Sequence, residues 1–314
     1  MFNSESTVRA CIGSIPKNCE VLIVDQQSGD DSVPIAQSVR PDARVIRAGA
    51  NRGFGAGCNL GAANASGDVL IFLNPDAFFL WPESVDILSE SARSRNALVG
   101  PRIFDLTGVE QTRARYWSTV SSELGEVFLP GELAKGIFRR EVPLDCEVYR
   151  VGGRVPYVQG SCMAISAENF WRVNGFDERL FLYREEETLS LSLQKIGVET
   201  RLESQAAISH IGGNSTGQYP EFSATQYYRS EAIFLLLRYS KPVATTAIAA
   251  LWVTLNAMAA LTPIRRIVGP RSANGYRWYR AAAAGAISGW RREIVDPPRV
   301  SSAVATSTKG CVAD

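Results

Sequence analysis

The chain has no CxxC pair, and its six cysteines (Cys11, Cys19, Cys58, Cys146, Cys162 and Cys311) follow no disulfide-like rhythm. Scattered among apolar neighbours, they read as reduced, packed thiols of a cytosolic protein. The opening Met1-Phe2-Asn3-Ser4-Glu5-Ser6 has neither the basic cluster nor the apolar run of a signal peptide. Histidine occurs once, at His210, and net charge is nearly absent: 33 Lys/Arg stand against 32 Asp/Glu. With 46% hydrophobic and 21% charged residues, composition is ordinary for a soluble globular protein and excludes no class. The balance of charge hides an asymmetry. Residues 1–228 carry 21 Lys/Arg against 28 Asp/Glu, whereas 229–299 carry 11 against 3. An acidic front disfavours a nucleic-acid-binding enzyme, so no nucleic-acid partner is expected; a basic back suits an anionic membrane surface. Length allows one catalytic domain plus an appendage.

What is present begins with residues 69–73, Val-Leu-Ile-Phe-Leu, a strand buried on both faces. Asn74-Pro75 stops it, because proline cannot donate to a ladder and keeps its predecessor out of a helix. Asp76 is left at the carboxyl end of a buried strand, where open α/β sheets place their ligands. It either caps the next helix or faces a cation. Residues 20–25 repeat the pattern and leave Asp25 in the same position, followed by the turn-rich 26–32. Helices are expected over 8–15, around 33–38, from 81 to about 94, from Ser166 onward and over 189–196, with strands at 43–47, 98–101, 157–165 and 199–202. The strand 157–165 has a break at Gly160-Ser161.

The stretch 51–61 (Asn-Arg-Gly-Phe-Gly-Ala-Gly-Cys-Asn-Leu-Gly) holds four glycines that allow close backbone approach before a helix. It is not a dinucleotide fingerprint, since Cys58 and Leu60 occupy glycine positions of that register. A flexible loop and a nucleotide-facing loop both fit. Residues 104–156 are irregular, an acceptor-side loop region with Arg113, Arg115 and Trp117 among few periodic signals. Glu185-Glu186-Glu187 repel one another unless a helix N-terminus offsets part of their charge. His210 ends an apolar run and enters a Gly-Gly turn, the kind of place Asp76 occupies.

In combination these motifs resemble the family 2 glycosyltransferases, inverting enzymes of the GT-A fold, and especially their rhamnosyltransferase-like branch, over Asn3 to about Tyr239. Val24-Asp25 with Ser28-Gly29-Asp30-Asp31-Ser32 is similar to V-D-N-x-S-x-D-x-S. Asn51-x-Gly53-Phe54-x-x-Gly57-x-Asn59-x-Gly61 is similar to the loop around the sugar nucleotide. Asn74-Pro75-Asp76 stands where the family has its DxD-type metal site. Gly175-Phe176-Asp177-Glu178 and Phe181-Leu182-Tyr183 resemble the segment before an E-D pair, and His210 with Gly213, Ser215 and Thr216 resembles the closing motif.

The resemblance implies a GT-A nucleotide-diphospho-sugar transferase fold, a Rossmann-like mixed α/β sheet. It implies donor binding by Asn3, Asp25, Ser28, Asn51, Gly53, Phe54, Gly57, Asn59 and Asn74. Asp76 and His210 would hold Mg2+ or Mn2+, which stabilises the leaving diphosphate. Few protein carboxylates are needed, because phosphate and water complete such a shell. Glu186 is the candidate base with Glu185 its neighbour, and Gly160, Ser161 and Asp177 lie on the acceptor side. Glu186 and Glu187-Thr188 stand where the family has aspartates, and like-charge crowding should raise at least one glutamate pKa.

The implied reaction moves a sugar, with dTDP-rhamnose the donor of that branch, to a cell-envelope glycan or polyprenyl-linked acceptor. The alternatives are another donor such as a UDP-sugar, or a degenerate membrane-associated scaffold. Asn3-Ser4 also matches the end of the family's first strand. The expectation is therefore a native protein several residues longer, with that strand restored.

Residues 243–262 carry no charge yet include seven alanines and four threonines. A membrane-spanning, an interfacial and a buried helix are all open. The expected organisation is a catalytic domain over 1–228, a basic, apolar, helical, membrane-associated region over 229–296, and a disordered tail over 297–314. The expected location is cytoplasmic, peripheral on the inner face of the cell membrane.

Overall fold

The computed structural model describes residues 1–112, 114–129, 137–138, 140–212, 219–268 and 275–295. Arg113, the Gly213, Ser215 and Thr216 part of the closing motif, Arg271 and the tail 297–314 lie outside the described residues. The strands are β1 (Leu22–Asp25), β2 (Arg44–Arg47), β3 (Val69–Leu73), β4 (Ala77–Phe79), β5 (Ala97–Phe104), β6 (Glu110–Gln111), β7 (Ala114–Arg115), β8 (Gly153–Arg154), β9 (Tyr157–Val158), β10 (Cys162–Ser166) and β11 (Glu199–His210). The helices are α1 (Val8–Gly13), α2 (Ser32–Val39), α3 (Phe54–Ala62), α4 (Glu83–Ser94), α5 (Val120–Phe128), α6 (Glu147–Val151), α7 (Ala167–Arg172), α8 (Glu185–Lys195), α9 (Pro220–Arg238), α10 (Lys241–Val268) and α11 (Tyr276–Val295).

The main sheet is mixed, in the order β3-β10-β5-β11-β4, with β6 beside β5 and β8 beside β11. β3 is buried on both faces, as its unbroken apolar run predicts. Leu70 and Phe72 point into a core with Met163, Phe170 and Phe176, while Val69, Ile71 and Leu73 pack against the core of Val85, Leu88 and Val99. Phe72, Phe170 and Phe176 form a ring cluster with centroids 5.0–5.4 Å apart. The expected strand 199–202 and the apolar run ending at His210 are one strand, β11, with a register shift between Glu203 and Ala207. β4 was not expected: three residues straight after a proline turn carry too little pattern. It pairs with the end of β11 in the register His210↔Ala77.

β1 and β2 form a separate parallel pair, and no ladder joins β1 to β3 among the described residues. The amino group of Met1 donates to the Val24 carbonyl at 2.7 Å, and Gln26 N–H to the Met1 carbonyl at 2.9 Å. Arg40, 1% exposed, ties the α1–β1 connection: its guanidinium donates to the carbonyls of Ile15, Pro16, Lys17 and Cys19 at 2.8–3.1 Å and to Asp42. Removing those donors strips four part-buried carbonyls of their shared partner. Arg40→Met is therefore expected to destabilise the protein by on the order of 3 kcal/mol, read as a lowered urea midpoint at unchanged slope.

The interval 104–156, expected to be irregular, contains α5, α6 and short strands. A capping box starts α5: Thr119 Oγ1 accepts from Ser122 N–H, and Ser122 Oγ accepts from Thr119 N–H. The boundary expected at 228 falls inside α9, a continuous helix whose buried residues run from Ala224 to Leu235. α11 crosses α9 closely, since a β-carbon on Gly285 or Gly289 would strike the carbonyl of Thr225 or Arg229. Residues Lys241–Thr262 of α10 are long and apolar enough to cross a membrane. One face of α10 (Ala244, Ile248, Leu251, Leu255) is buried in the helical core, and the other exposes Val243, Trp252, Val253 and Leu261.

Candidate active site

Asp76 and His210 meet because β4 turns back beside β11. Asp76 Oδ1 lies 3.3 Å from His210 Nε2, with the side chains 24% and 8% exposed. Burial alone would raise the Asp76 pKa, but the hydrogen bond and charge of His210 outweigh it and hold the carboxyl below its ordinary value. Neighbouring ligands of an octahedral cation with bonds of about 2.1 Å lie about 3.0 Å apart, somewhat closer than the 3.3 Å between these two atoms. Buried polar atoms with no partner (Asn74 Oδ1, Ser161 Oγ and His210 Nδ1) belong to the residues of this corner. Among the described residues no group of three or more His, Cys, Asp or Glu forms a complete cage. The pair fits a divalent ion that takes the rest of its shell from phosphate and water.

Asn3, Asp25 and Ser28 come together at the end of β1. Asp25, 2% exposed, accepts from Ser28 N–H at 3.1 Å and faces the Arg47 guanidinium at 3.3 Å. Asn3 N–H donates to Ser28 Oγ, and Gly29 N–H donates to Asn3 Oδ1. Beside them lies a cavity of about 530 Å³ lined by Asp25, Gln27, Ser28, Arg47 and Gly49. Sequence reasoning missed Gln27, Arg47 and Gly49; the turn-rich composition after β1 was a signal for Gln27 alone.

The glycine loop is placed differently from the rest of the expected donor set. Asn59 Nδ2 donates to the Phe176 carbonyl at 2.9 Å and to Glu178 at 3.1 Å, while Phe176 N–H donates to Asn59 Oδ1. Asn51 accepts from Gly53 N–H, and Phe54 N–H donates to the Phe181 carbonyl. Gly53 has φ +91°, and a β-carbon there would strike the Phe181 backbone; one on Gly57 would meet Gln26 at 2.9 Å. Gly53, Phe54 and Asn59 thus lock this loop onto the segment 176–181, while Asn51 holds the turn at Gly53 and Gly57 lies against Gln26. Two motifs distant in sequence are two halves of one packing interface. Asp177 accepts from Arg179, at 2.5 Å to Nη2, and so shapes the same segment.

Gly160-Ser161 bridges the Asp76–His210 corner and the glutamates. Asn74 N–H donates to the Ser161 carbonyl at 2.9 Å, and a β-carbon on Gly160 would lie 3.7 Å from Glu186 Oε2. The glutamates occupy the first turn of α8, where the helix dipole offsets part of their repulsion. Their neighbours divide them. Glu186 is part-exposed and lines a cavity of about 680 Å³ with Arg115, Arg140, Tyr157, Gln159, Tyr183 and Tyr227. Glu185, 3% exposed, packs its chain against Gly55 of α3. Burial and the charge of Glu186 push the Glu185 carboxyl up to about 8; burial and the charge of Glu187 push Glu186 up as well. Most of this cavity wall escaped sequence reasoning, although the Thr119–Ser122 cap ahead of Glu123, Leu124 and Val127 was a readable helix start.

Residues 1–170 match the model of glycosyl transferase family 2. Over 239 residues, 70% of this chain and 75% of the relative, the sequence is 30% identical to the N-acetylglucosaminyl-diphospho-decaprenol L-rhamnosyltransferase of Mycobacterium tuberculosis. The chain belongs to glycosyl transferase family 2. Solved structures agree on the fold. TarS 1–349 of S. aureus in complex with UDP-GlcNAc superposes with a TM-score of 0.51 at 14% identity, over 94% of this chain and 89% of that one. GalNAc-T7 with UDP, GalNAc and Mn2+ gives 0.51 at 15% identity, over 86% of this chain; the match spans only 51%, about half, of the GalNAc-T7 chain. This family 2 glycosyltransferase therefore has the GT-A fold, and the corner of Asp76 and His210 lies at the carboxyl ends of its strands.

Proposed function

We propose that this glycosyltransferase transfers a sugar, rhamnose, from a nucleotide-diphosphate donor to a polyprenyl-diphosphate-linked glycan precursor of the cell envelope, with inversion. The placement of Glu186 carries the mechanism: it faces an open cavity from a helix start, while Asp76 and His210 sit across Gly160-Ser161. Rhamnose and the lipid-linked acceptor rest on the name of the mycobacterial relative.

Asp25, Ser28 and Asn3 hold the base end of the donor. Asp76 and His210 would hold Mg2+ or Mn2+. When bound, that ion supplies Lewis-acid stabilisation of the negative charge that grows on the leaving diphosphate. Glu186 accepts the proton of the acceptor hydroxyl on the face of the sugar away from the diphosphate, so that attack inverts the anomeric carbon. Its raised pKa strengthens it as a base, and Gly160 leaves room beside its carboxylate.

The uncharged outer face of α10 and the excess of Lys/Arg over 229–299 support a peripheral seat on the anionic inner face of the cell membrane, within reach of a polyprenyl acceptor. The test is transfer from a panel of nucleotide sugars to a synthetic polyprenyl-diphosphate-GlcNAc with Mn2+ present. Rhamnosylated product from dTDP-rhamnose is expected. Product from UDP-sugars alone would replace the donor assignment.

A further inference from the structure

The strangest backbone in the chain lies directly before the catalytic helix. Tyr183 and Arg184 are consecutive non-glycine residues in the left-handed region, with φ of +72° and +70°. Such conformations persist only where surrounding structure over-determines them, and they cluster at functional sites. Here the surroundings are a buried charge cluster. The Arg184 guanidinium donates to Glu187 Oε2 at 2.6 Å, Glu123 Oε1 at 2.7 Å, the Tyr227 hydroxyl at 2.9 Å and Ser118 Oγ, and it lies 2.6 Å from Glu231 Oε2. Arg140 adds a second cation, 3.0 Å from Glu123. Glu123, Glu187 and Glu231 are all 1% exposed or less.

These partners come from distant parts of the chain: Ser118 and Glu123 from the start of α5, Tyr227 and Glu231 from α9. Ser230 Oγ of α9 also donates to the Leu182 carbonyl, and Arg229 to the Arg179 carbonyl at 2.6 Å. The helices beyond the sheet thus grip the whole run 179–184. The carbonyl of Arg184 accepts the first rung of α8, from Thr188 N–H at 2.8 Å. An apolar filling of equal volume would stabilise the fold at least as well as this buried cluster. What an apolar filling would not provide is a fixed direction for the helix start.

We propose that Arg184 is a positioning residue: gripped by Glu123, Glu187 and Glu231, it locks the left-handed Tyr183–Arg184 pair and thereby aims Glu186 into the cavity. The α9 helix is then part of the active site: Tyr227 lines the cavity itself, and Glu231 acts from the buried side through Arg184. This inference rests on Glu186 being the base, and the test separates the two.

The full-length protein is assayed for transfer, with active sites counted by nucleotide-binding stoichiometry in calorimetry. Arg184→Gln and Glu231→Leu should each lower kcat per binding site roughly 10²-fold, the cost of a misplaced catalytic group, with the donor KM within twofold. Glu231→Gln, which keeps shape and an acceptor oxygen, should recover most of the loss seen with Glu231→Leu. In the Glu186→Gln background, Arg184→Gln should add nothing further, because the group it positions is gone. If Arg184→Gln does not fold, Glu231→Leu and Tyr227→Phe carry the same test, Tyr227→Phe with a smaller loss.

Wild-type kcat per site in Glu231→Leu, or additive losses in the double variant, overturn the positioning role. Wild-type kcat in Glu186→Gln overturns the base assignment instead.

Discussion

Replacing Asp76 by alanine is expected to lower kcat/KM about 10²–10³-fold in saturating Mn2+, the usual cost of removing a preorganised group that stabilises developing charge. The argument is electrostatic. Breaking the sugar–diphosphate bond concentrates negative charge on the leaving group, and among the described residues Asp76 and His210 are the paired donors at the strand ends. The carboxyl of Asp76 is held below its ordinary value, so it is ionised and ready to ligate throughout the neutral range. Asp76→Asn, which keeps the shape and removes the charge, should lose nearly as much as alanine. Chelator should abolish turnover of the wild type, and Mn2+ should restore it. Turnover of Asp76→Ala at the wild-type rate in Mn2+ would sink the assignment.

Glu186→Gln is expected to lower kcat by about 10²–10⁴-fold, the contribution of a positioned general base, while the donor KM changes little. Glu185→Gln should cost much less, because Glu185 packs against α3 and does not line the cavity. The wild-type rate should rise with pH and level off toward the range of the pair, since the base works only when ionised and both carboxyls are raised, Glu185 to about 8. Glu185→Gln removes the neighbouring charge and should move that rise to lower pH. Stability follows the opposite sign. A carboxyl whose folded pKa lies above its ordinary 4.5 favours the fold while protonated, so the protein should lose stability as pH climbs from about 4.5 to about 8. A pH–rate profile with no shift in Glu185→Gln would show that the two carboxyls do not titrate as a pair.

The active-site corners were partly legible in advance. Asp25 and Asp76 could be placed because a continuous apolar run bounded by turn residues marks a buried strand, and the residues that end or directly follow it emerge at the carboxyl end of the sheet. His210 could be suspected for the same reason. The glycine loop showed only part of its role: its pattern suggests close backbone approach, and nothing in it foretold that Asn59 would bond to the segment 176–181. Asn59 and Phe176 are 117 positions apart; nothing local states that their hydrogen-bonding groups are complementary.

By itself, the order of apolar runs, turns and terminal carboxylates determined an α/β fold with acidic residues at its strand ends, and the family entered through the resemblance of the motifs. That order did so because burial periodicity and turn chemistry are local properties, encoded within ten residues or so. Only the tertiary structure decided which glutamate faces the cavity, that β4 brings Asp76 against His210, and that α9 reaches back to hold Arg184. Those outcomes depend on long-range packing and on backbone angles such as the left-handed pair before α8. Such angles are imposed by the surrounding structure, against the preferences of the residues that adopt them.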